Sequence, residues 1–286
     1  MRTHDEYLIR LRTGAIRLGR EPVVMGIVNV TPDSFSDGGD SLDPQLAVRH
    51  ALDMANEGAA IVDIGGESTR PGADEVPVQS ELDRIMPVLA ALRDANLSAP
   101  ISIDTYKALV ADQAIQAGAQ IVNDVHGAQR DPEIADVAAL YDLPLIAMHW
   151  DTERDPSCDI IDEMKRYFAR TIAIADRAGL KRSQLILDPG FGFAKTFEEN
   201  YEILRRLDEL QALGFPLVVG TSRKSMLGKL LDIPPKERIF ATVATSVIGY
   251  LAGAHIFRVH DVRANRDALR VAAATVYGPA VEPSNQ

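Results

Sequence analysis

Short apolar runs alternate with longer amphipathic segments along most of this chain. Each apolar run is about five to eight residues long. The runs start near Val23, Ala59, Ile101, Ile121, Leu145, Leu185, Leu217 and Ile256. Strands that are apolar throughout and alternate with helices belong to a parallel sheet that is buried on both faces. Eight such strands predict an α/β fold in which one domain forms a closed (β/α)8 barrel, or TIM barrel.

The segments outside these runs suggest how the domain begins and ends. Residues 1–22 precede the first predicted barrel strand, and we expect them to form a short N-terminal hairpin that closes the bottom of the barrel. We assign residues 23–278 to the barrel and residues 279–286 to a C-terminal tail. At 286 residues, the chain has the usual size of a single α/β barrel and can bury a large core.

Two kinds of connection separate the predicted strands. A helix that begins at Asp43-Pro44 is predicted to stop at Gly58, because glycine accepts the left-handed conformation beyond a helix end. The same stop recurs at Gly118, Gly179, Gly214 and Gly253. In contrast, residues 31–42 and 67–80 follow the first two strands and are long and rich in Ser, Thr, Asp, Gly and Pro. Loops of this kind are candidates for mobile lids.

Composition narrows the possible partners. The 41 acidic and 30 basic residues give a net charge of −11, which argues against a nucleic-acid surface. No signal peptide is evident, and the uncharged stretch 240–257 favours a closely packed internal helix running into a strand over a membrane span. The same stretch is also a candidate for part of a dimer contact. The lone Cys158 fits a reducing cytoplasm, so we expect a cytoplasmic protein without nucleic-acid or membrane partners.

The apolar runs end in chemically competent side chains. These are Asn29; Asp63 and Glu67; Asp104; Asn123 and Asp124; His149; Asp188; Arg223 and Lys224; and Arg258, His260 and Asp261. One polar residue after a strand means little, since every strand must emerge into water. TIM-barrel enzymes, however, carry their catalytic residues at the carboxyl ends of the strands. Eight such endings therefore indicate an enzyme whose active site lies at one mouth of the barrel.

Several longer segments carry a family resemblance. The two most specific are residues 25–39, MGIVNVTPDSFSDGG, and residues 63–72, DIGGESTRPG. The shorter segments are SIDT at 102–105, NDVHG at 123–127, LDPGFGFAK at 187–195, SRKS at 222–225 and RVHDV at 258–262. Together they closely resemble the dihydropteroate synthases, folate-pathway enzymes that join a pterin to 4-aminobenzoate. The resemblance runs from about Val23 to Tyr277.

The resemblance implies a set of pterin-binding residues. Asp104 and Asn123 would hold the pterin, Asp188 its amino-pyrimidine edge, Lys224 its carbonyl region, and Met148 and Phe193 its apolar faces. A carboxylate suits this ligand because it accepts the paired N–H donors of the pterin edge, and an amide supplies a donor and an acceptor. Met148 and Phe193, taken separately, fit a core role equally well.

The resemblance also implies a diphosphate site. Arg258 and His260 would donate to the phosphate oxygens, and Asn29 would give its amide oxygen to Mg²⁺, a cation that prefers oxygen ligands. Arg258 and His260 are two residues apart on one strand, so their side chains are expected to point the same way. The structural alternative is a salt bridge between this pair and a nearby acid such as Asp261. His126, like His149, receives no role.

The resemblance implies a third set of residues, which would bind 4-aminobenzoate, the arylamine substrate. Phe35, Thr69, Arg70 and Pro71 would close over its ring, and Ser225 would bind its carboxylate at a helix start. Asp37 and Arg70 would pair as a latch between the two loops. The alternative interpretation is ordinary turn chemistry. The residues assigned to catalysis are therefore Asn29, Asp37, Arg70, Lys224, Arg258 and His260.

The resemblance further implies a dissociative displacement, in which pyrophosphate leaves before the amine attacks, and a homodimer that is a sulfonamide target. Two alternatives stay open: a non-catalytic pterin-binding paralogue, and a barrel similar to the methyltetrahydrofolate-dependent corrinoid methyltransferases. The second would have no use for Phe35, Arg258 or His260. Trp150 departs from the family pattern, and either covers the barrel rim, which we favour, or stacks on substrate.

Overall fold

The computed structural model describes residues 4–31, 44–68 and 74–279. Two antiparallel strands, β1 (Tyr7–Arg10) and β2 (Ala15–Leu18), form a hairpin before the barrel. The barrel strands are β3 (Val23–Asn29), β4 (Ile61–Gly65), β5 (Ile101–Asp104), β6 (Ile121–Asp124), β7 (Leu145–Met148), β8 (Leu185–Asp188), β9 (Val218–Val219) and β10 (Ile256–Val259). All paired barrel strands are parallel.

The strands close into a TIM barrel, as predicted. Their order is β8-β7-β6-β5-β4-β3-β10-β9, and a parallel bridge between Leu187 and Leu217 joins the two ends. The helices outside the barrel are α1 (Pro44–Asn56), α2 (Val78–Asp94), α3 (Ala108–Ala117), α4 (Glu133–Leu140), α5 (Ile160–Ala178), α6 (Phe197–Arg205), α7 (Ser225–Leu231), α8 (Ile239–Leu251) and α9 (Val262–Tyr277). Short 3₁₀ helices lie at Arg182–Gln184, Leu207–Leu213 and Pro235–Glu237.

The hairpin covers the amino-terminal ends of the strands. Its buried Ile9 and Leu18 pack into one apolar cluster with residues that open barrel strands, such as Val23 and Ile256. The Gln184 amide fixes the hairpin further, because it bonds both the N–H and the C=O of Arg10, at 3.0 and 2.9 Å. The polar mouth therefore lies at the opposite, carboxyl end of the strands.

The predicted element boundaries hold for most of the chain. Six of the eight strands start where the apolar runs start, and α1 begins at Pro44 and is followed by Gly58 at φ +99°. The second predicted loop, 67–80, is too long, because α2 already begins at Val78. The seventh barrel strand, β9, spans only two residues.

The uncharged stretch forms α8 and runs into β10, as predicted, but the helix is not internal, because one of its faces is exposed. Phe240 is 86% exposed, Ile248 47% and Leu251 50%. Among the helices that the structure describes, none combines the length and the hydropathy that a membrane span needs.

Candidate active site

The carboxyl ends of the barrel strands bring together residues from distant parts of the chain. Asp104 ends β5, Asp188 ends β8, Asn123 lies one residue before the end of β6, and Arg258 lies in β10. A cavity opens beside them at this mouth. Its lining includes Asn123, Val125, Met148, Asp188, Gly190, Phe191, Phe193, Gly220, Lys224 and Arg258. The structure therefore brings together the six residues predicted to bind a pterin: five line this cavity, and Arg258 ties the sixth, Asp104, to it.

Arg258 crosses the mouth and joins two strands on the far side. Its Nε donates to Asp63 Oδ2 at 2.7 Å, and its Nη2 donates to Asp104 Oδ2 at 2.5 Å. Asn123 Nδ2 donates to the same Asp63 oxygen at 3.1 Å. The other carboxylate oxygen of each acid, Oδ1, is buried and accepts no hydrogen bond from the described residues. Buried acceptors of this kind suit a ligand that brings its own N–H donors.

Burial and charge set the protonation of these groups. Burial raises the pKa of Asp104 to about 7, although the Arg258 guanidinium opposes this shift. Burial also raises the pKa of Asp188, whose Oδ1 accepts the Gly190 N–H at 2.7 Å. Burial acts to lower the pKa of Arg258, but Asp63 and Asp104 outweigh it, so this pKa is raised and the guanidinium stays charged.

Lys224 supplies a second cation beside the acids. Its ammonium lies 3.9 Å from the centre of the Phe193 ring, in a cation–π contact. Burial and the nearby Arg258 charge lower the pKa of Lys224 to about 8, while Asp188 acts to raise it. Lys224 is therefore protonated near neutral pH and loses its charge in mildly alkaline solution.

Two polar contacts organise the residues after β9 and β10. The Ser222 hydroxyl accepts the His260 backbone N–H at 3.1 Å and lies 2.9 Å from His260 Nδ1. Because that hydroxyl can donate its own hydrogen to Nδ1, we assign the imidazole proton to Nε2. Asp261 pairs with Arg223 at 2.7 Å. The salt bridge considered for Arg258 thus exists, but with Asp63 and Asp104 instead of Asp261.

A buried lysine holds the loop that follows β8. The Lys195 ammonium donates to the carbonyl oxygens of Gly190, Phe193 and His149, at 2.8, 2.9 and 3.2 Å. It also lies 3.0 Å from His149 Nδ1, and burial followed by the Lys195 charge lowers the pKa of His149 to about 2. Gly190 has φ +70°, and a Cβ there would lie 2.1 Å from the His149 oxygen. His149, which directly follows β7, is therefore a neutral structural residue that Lys195 links to this loop.

Aromatic rings line one side of the rim. Trp150 stacks on His126, with ring centres 4.5 Å apart and planes 9° apart, and its ring centre lies 4.9 Å from that of Phe193. Burial lowers the pKa of His126 to about 4, so this ring is neutral in the stack. These contacts favour the interpretation of Trp150 as a cover of the rim.

The remaining predicted residues divide into two groups. Asn29 is half-buried as the last residue of β3, and Ser225 is exposed as the first residue of α7. Phe35, Asp37, Thr69, Arg70 and Pro71 lie outside the described residues, and so does the predicted Asp37–Arg70 latch. No group of three or more His, Cys, Asp or Glu side chains within residues 4–31, 44–68 and 74–279 is arranged to hold a metal ion.

Three residues of this site had no predicted role. Asp63 was named only as the end of an apolar run; it lies inside β4 between apolar neighbours and is fully buried, and a carboxylate in a buried strand is the signal that could have marked it. Lys195 lies two residues after Phe193, and Ser222 lies two residues before Lys224, but their roles depend on which backbone atoms and side chains they reach in the fold.

Comparisons with known proteins point to one family. Residues 25–260 match the family described as "Pterin binding enzyme". The dihydropteroate synthase of Synechocystis sp. is 49% identical over 265 residues, covering 90% of this chain and 91% of that protein. Xanthomonas albilineans dihydropteroate synthase with 4-aminobenzoic acid is a similar solved structure, with 43% identity, TM-score 0.86, and coverage of 92% and 96% of the two chains. Yersinia pestis dihydropteroate synthase in a sulfonamide drug complex gives 42% identity, TM-score 0.87, and coverage of 94% and 98%. The chain therefore belongs to the dihydropteroate synthase family of pterin-binding enzymes.

Proposed function

We propose that this protein condenses 6-hydroxymethyl-7,8-dihydropterin pyrophosphate with 4-aminobenzoate, giving 7,8-dihydropteroate and pyrophosphate in folate biosynthesis. The observation that carries the proposal is the convergence of Asp104, Asn123, Asp188, Lys224 and Arg258 at one barrel mouth. The relatives above, which share most of the length of this chain, support the same reaction.

The acids and Asn123 would hydrogen-bond to the pterin ring, and Lys224 would donate to it. Asp188 and Asn123 would pair with the amino-pyrimidine edge, while the unpaired Oδ1 of Asp104 would accept a ring N–H. Lys224 would donate to the ring carbonyl region. Met148 and Phe193 line the same cavity and would contact the ring faces.

The reaction breaks the bond between the pterin methylene and the diphosphate. Negative charge therefore builds on the leaving oxygen, and catalysis requires groups that stabilise this charge more strongly than the bound ester. Arg258 and the Nε2–H of His260 would donate to the departing diphosphate. The arylamine is mostly neutral near neutral pH and has an accessible lone pair, so it needs no strong general base to capture the pterin cation.

Magnesium fits this arrangement as a cofactor. Asn29 offers one neutral oxygen at the end of β3, and the described residues provide no complete metal cage. Mg²⁺ commonly keeps several waters and binds through one or two protein ligands together with substrate phosphates. Asn29 and the diphosphate would hold the ion, which would help to neutralise the leaving group.

Purified protein with Mg²⁺ is expected to form dihydropteroate from the two substrates and to release pyrophosphate in equal amount. Product formation is measured by chromatography and pyrophosphate by a coupled assay, with and without 4-aminobenzoate. Pterin binding without product under varied metal concentrations would instead support a non-catalytic paralogue. Methyl transfer from methyltetrahydrofolate to a corrinoid protein would support the other alternative.

His260→Ala is expected to lower kcat by about tenfold to a thousandfold, because a donor to the departing anion is lost. Ser222→Ala keeps the imidazole but removes its orienting hydroxyl, so we expect a smaller loss in the same direction. Steady-state kinetics and product inhibition by pyrophosphate measure both effects. His50→Ala, at an exposed position of α1, is the control. Rates within twofold of the parent would remove His260 from the diphosphate site.

Catalytic efficiency toward the pterin substrate is expected to fall above about pH 8, as Lys224 loses its proton. The lowered pKa means that the folded state binds this proton more weakly than the unfolded chain does. Lys224 therefore makes folding more favourable as the pH rises from about 8 toward 10.5, and unfolding driven by this group does not explain the loss. Lys224→Arg keeps the charge and should shift the fall in catalytic efficiency to higher pH. An unchanged pH profile in this variant would contradict the assignment.

We also propose that the protein forms a homodimer through α7 and α8. Phe240, Ala244 and Ile248 recur at a spacing of four residues on the exposed face of α8, and Leu251 continues this stripe. Leu230 and Leu231, at the end of α7, are 57% and 50% exposed. Exposed apolar patches of this kind mark association surfaces, and a second copy of the chain is the partner that we propose.

Location in the cytoplasm remains a prediction from the sequence.

Ile248→Glu is expected to convert the dimer into a 31.1 kDa monomer, because a charge would be buried in the contact. Light scattering after size-exclusion chromatography measures the mass at micromolar concentration. Leu140→Glu is the matched control, since Leu140 is 76% exposed on α4, a different face of the barrel. A parent protein that elutes as a monomer would exclude the proposed dimer.

A further inference from the structure

The turn that carries Ser222 and Lys224 contains a residue in an unfavourable backbone conformation. The Lys224 N–H donates to the Thr221 carbonyl oxygen at 3.1 Å, which closes a four-residue turn after β9. The third residue of this turn, Arg223, has φ +57°. This φ lies in the left-handed region, where a Cβ is crowded and glycine is the usual residue. An arginine keeps such a conformation only where surrounding contacts hold it, and strain of this kind concentrates at functional sites.

Three side chains from outside the turn hold Arg223. Its guanidinium donates to both oxygens of Asp261, from Nε at 3.1 Å and from Nη2 at 2.7 Å. Its backbone N–H donates to Thr242 Oγ1 at 3.2 Å, and its carbonyl oxygen accepts a hydrogen bond from Arg238 Nη1 at 2.9 Å. The side chain and both backbone polar groups of Arg223 are therefore bound. Two of the three partners belong to α8 or to the residue just before it.

The residues on either side of Arg223 belong to the site. Ser222 orients the His260 imidazole, and Lys224 lines the cavity. Each of these neighbours shares a planar peptide group with Arg223, so a change in the φ of Arg223 would turn those groups and move both side chains. Arg238 Nη1 also donates to the Lys224 carbonyl oxygen, at 3.2 Å, and so fixes two consecutive residues of the turn.

We propose that Arg223 is a positioning residue, whose ion pair with Asp261 holds the turn in the left-handed conformation that places Lys224 in the cavity and Ser222 against His260. This inference rests on the proposed function, in which Lys224 binds the pterin and His260 the diphosphate. Arg223 acts through its backbone, because its guanidinium is bound to Asp261.

Alanine and glycine at position 223 separate the conformation from the contact. Both variants lose the ion pair and the positive charge, but glycine adopts a positive φ at little cost, whereas alanine keeps the Cβ that opposes it. Catalytic efficiency toward the pterin substrate is expected to fall roughly tenfold in Arg223→Ala, and Arg223→Gly should recover most of this loss. Equal efficiencies in the two variants, or a lower efficiency in the glycine variant, would overturn the proposal.

Asp142 is the matched control, because it is also a left-handed residue in an ion pair. It has φ +53° and pairs with Lys181 at 2.6 Å, but it precedes β7 and so lies at the opposite end of the barrel from the mouth. Asp142→Ala and Asp142→Gly make the same two backbone changes there, and both should keep an efficiency within about twofold of the parent. A difference in efficiency between these two variants as large as that at position 223 would contradict a local effect on Lys224.

The pH profile gives a second readout, one that a loss of stability alone would not move. The charged groups that act on Lys224 are Arg258, Asp188 and Asp104, and burial followed by the Arg258 charge lowers its pKa to about 8. A displaced Lys224 leaves these surroundings, so its pKa should rise toward the ordinary 10.5. The alkaline fall in efficiency should therefore move to higher pH in Arg223→Ala and stay in place in Arg223→Gly. A fall at the parent pH in Arg223→Ala would refute a displaced Lys224.

Direct titration of Lys224 separates this inference from the proposed function. The NMR signal of the Lys224 Cε methylene, assigned with Lys224→Arg, reports the protonation of this residue without any turnover. A higher pKa in Arg223→Ala than in the parent would support the positioning role, and equal pKa values would refute it. If the parent formed no dihydropteroate, the proposed function would fail, and the titration would still decide whether Arg223 places Lys224.

Discussion

The site depends on one buried electrostatic arrangement, the Arg258 guanidinium between Asp63 and Asp104. Three buried carboxylates at one barrel mouth would repel each other and lose hydration, so they require cations at close range. Arg258 bonds to two of them and offsets one of their two charges, burial raises the pKa of Asp104 to about 7, and Lys224 lies near the third acid, Asp188. Because Arg258 bridges β10 to β4 and β5 across the mouth, the same contacts fix the positions of the acids. Charge balance and geometry therefore have a common source.

This arrangement leaves hydrogen-bond acceptors and a positive charge that substrates could use. Arg258 uses Nε and Nη2 on the acids, and each acid keeps one buried oxygen without a donor from the described residues. A pterin with several N–H groups would satisfy those oxygens, and a diphosphate would draw on the positive charge of Arg258. The diphosphate would weaken the ion pair between Arg258 and the acids, and the N–H donors of the pterin would compensate the acids for that loss. This favours a ligand that carries a donor-rich ring and an anion together.

Much of the fold follows from the sequence, because each buried parallel strand must be apolar and must end in polar residues. The same rule predicted Asp104, Asn123, Asp188 and Arg258 at one mouth. It also placed Asp63 at the end of an apolar run but gave it no role, and the structure shows this acid inside β4. The roles of long side chains were harder to predict from the sequence. Lys107 and Lys195 act at ammonium groups far from their own backbone, on carbonyl oxygens that only the folded chain brings together.

Trp150 joins two groups of side chains at the barrel mouth through ring contacts. Its ring stacks on His126, which meets Tyr106 edge-on, and on its other side it contacts Phe193, whose ring carries Lys224. Ring contacts thus run without a break from Tyr106, after β5, to Phe193 in the wall of the cavity at the barrel mouth. A smaller residue at position 150 would leave a gap between His126 and Phe193, and the two ends of this row would then move independently. The tryptophan therefore couples Tyr106 to the wall of the cavity through packing, in parallel with the backbone that connects Tyr106 to Asp104.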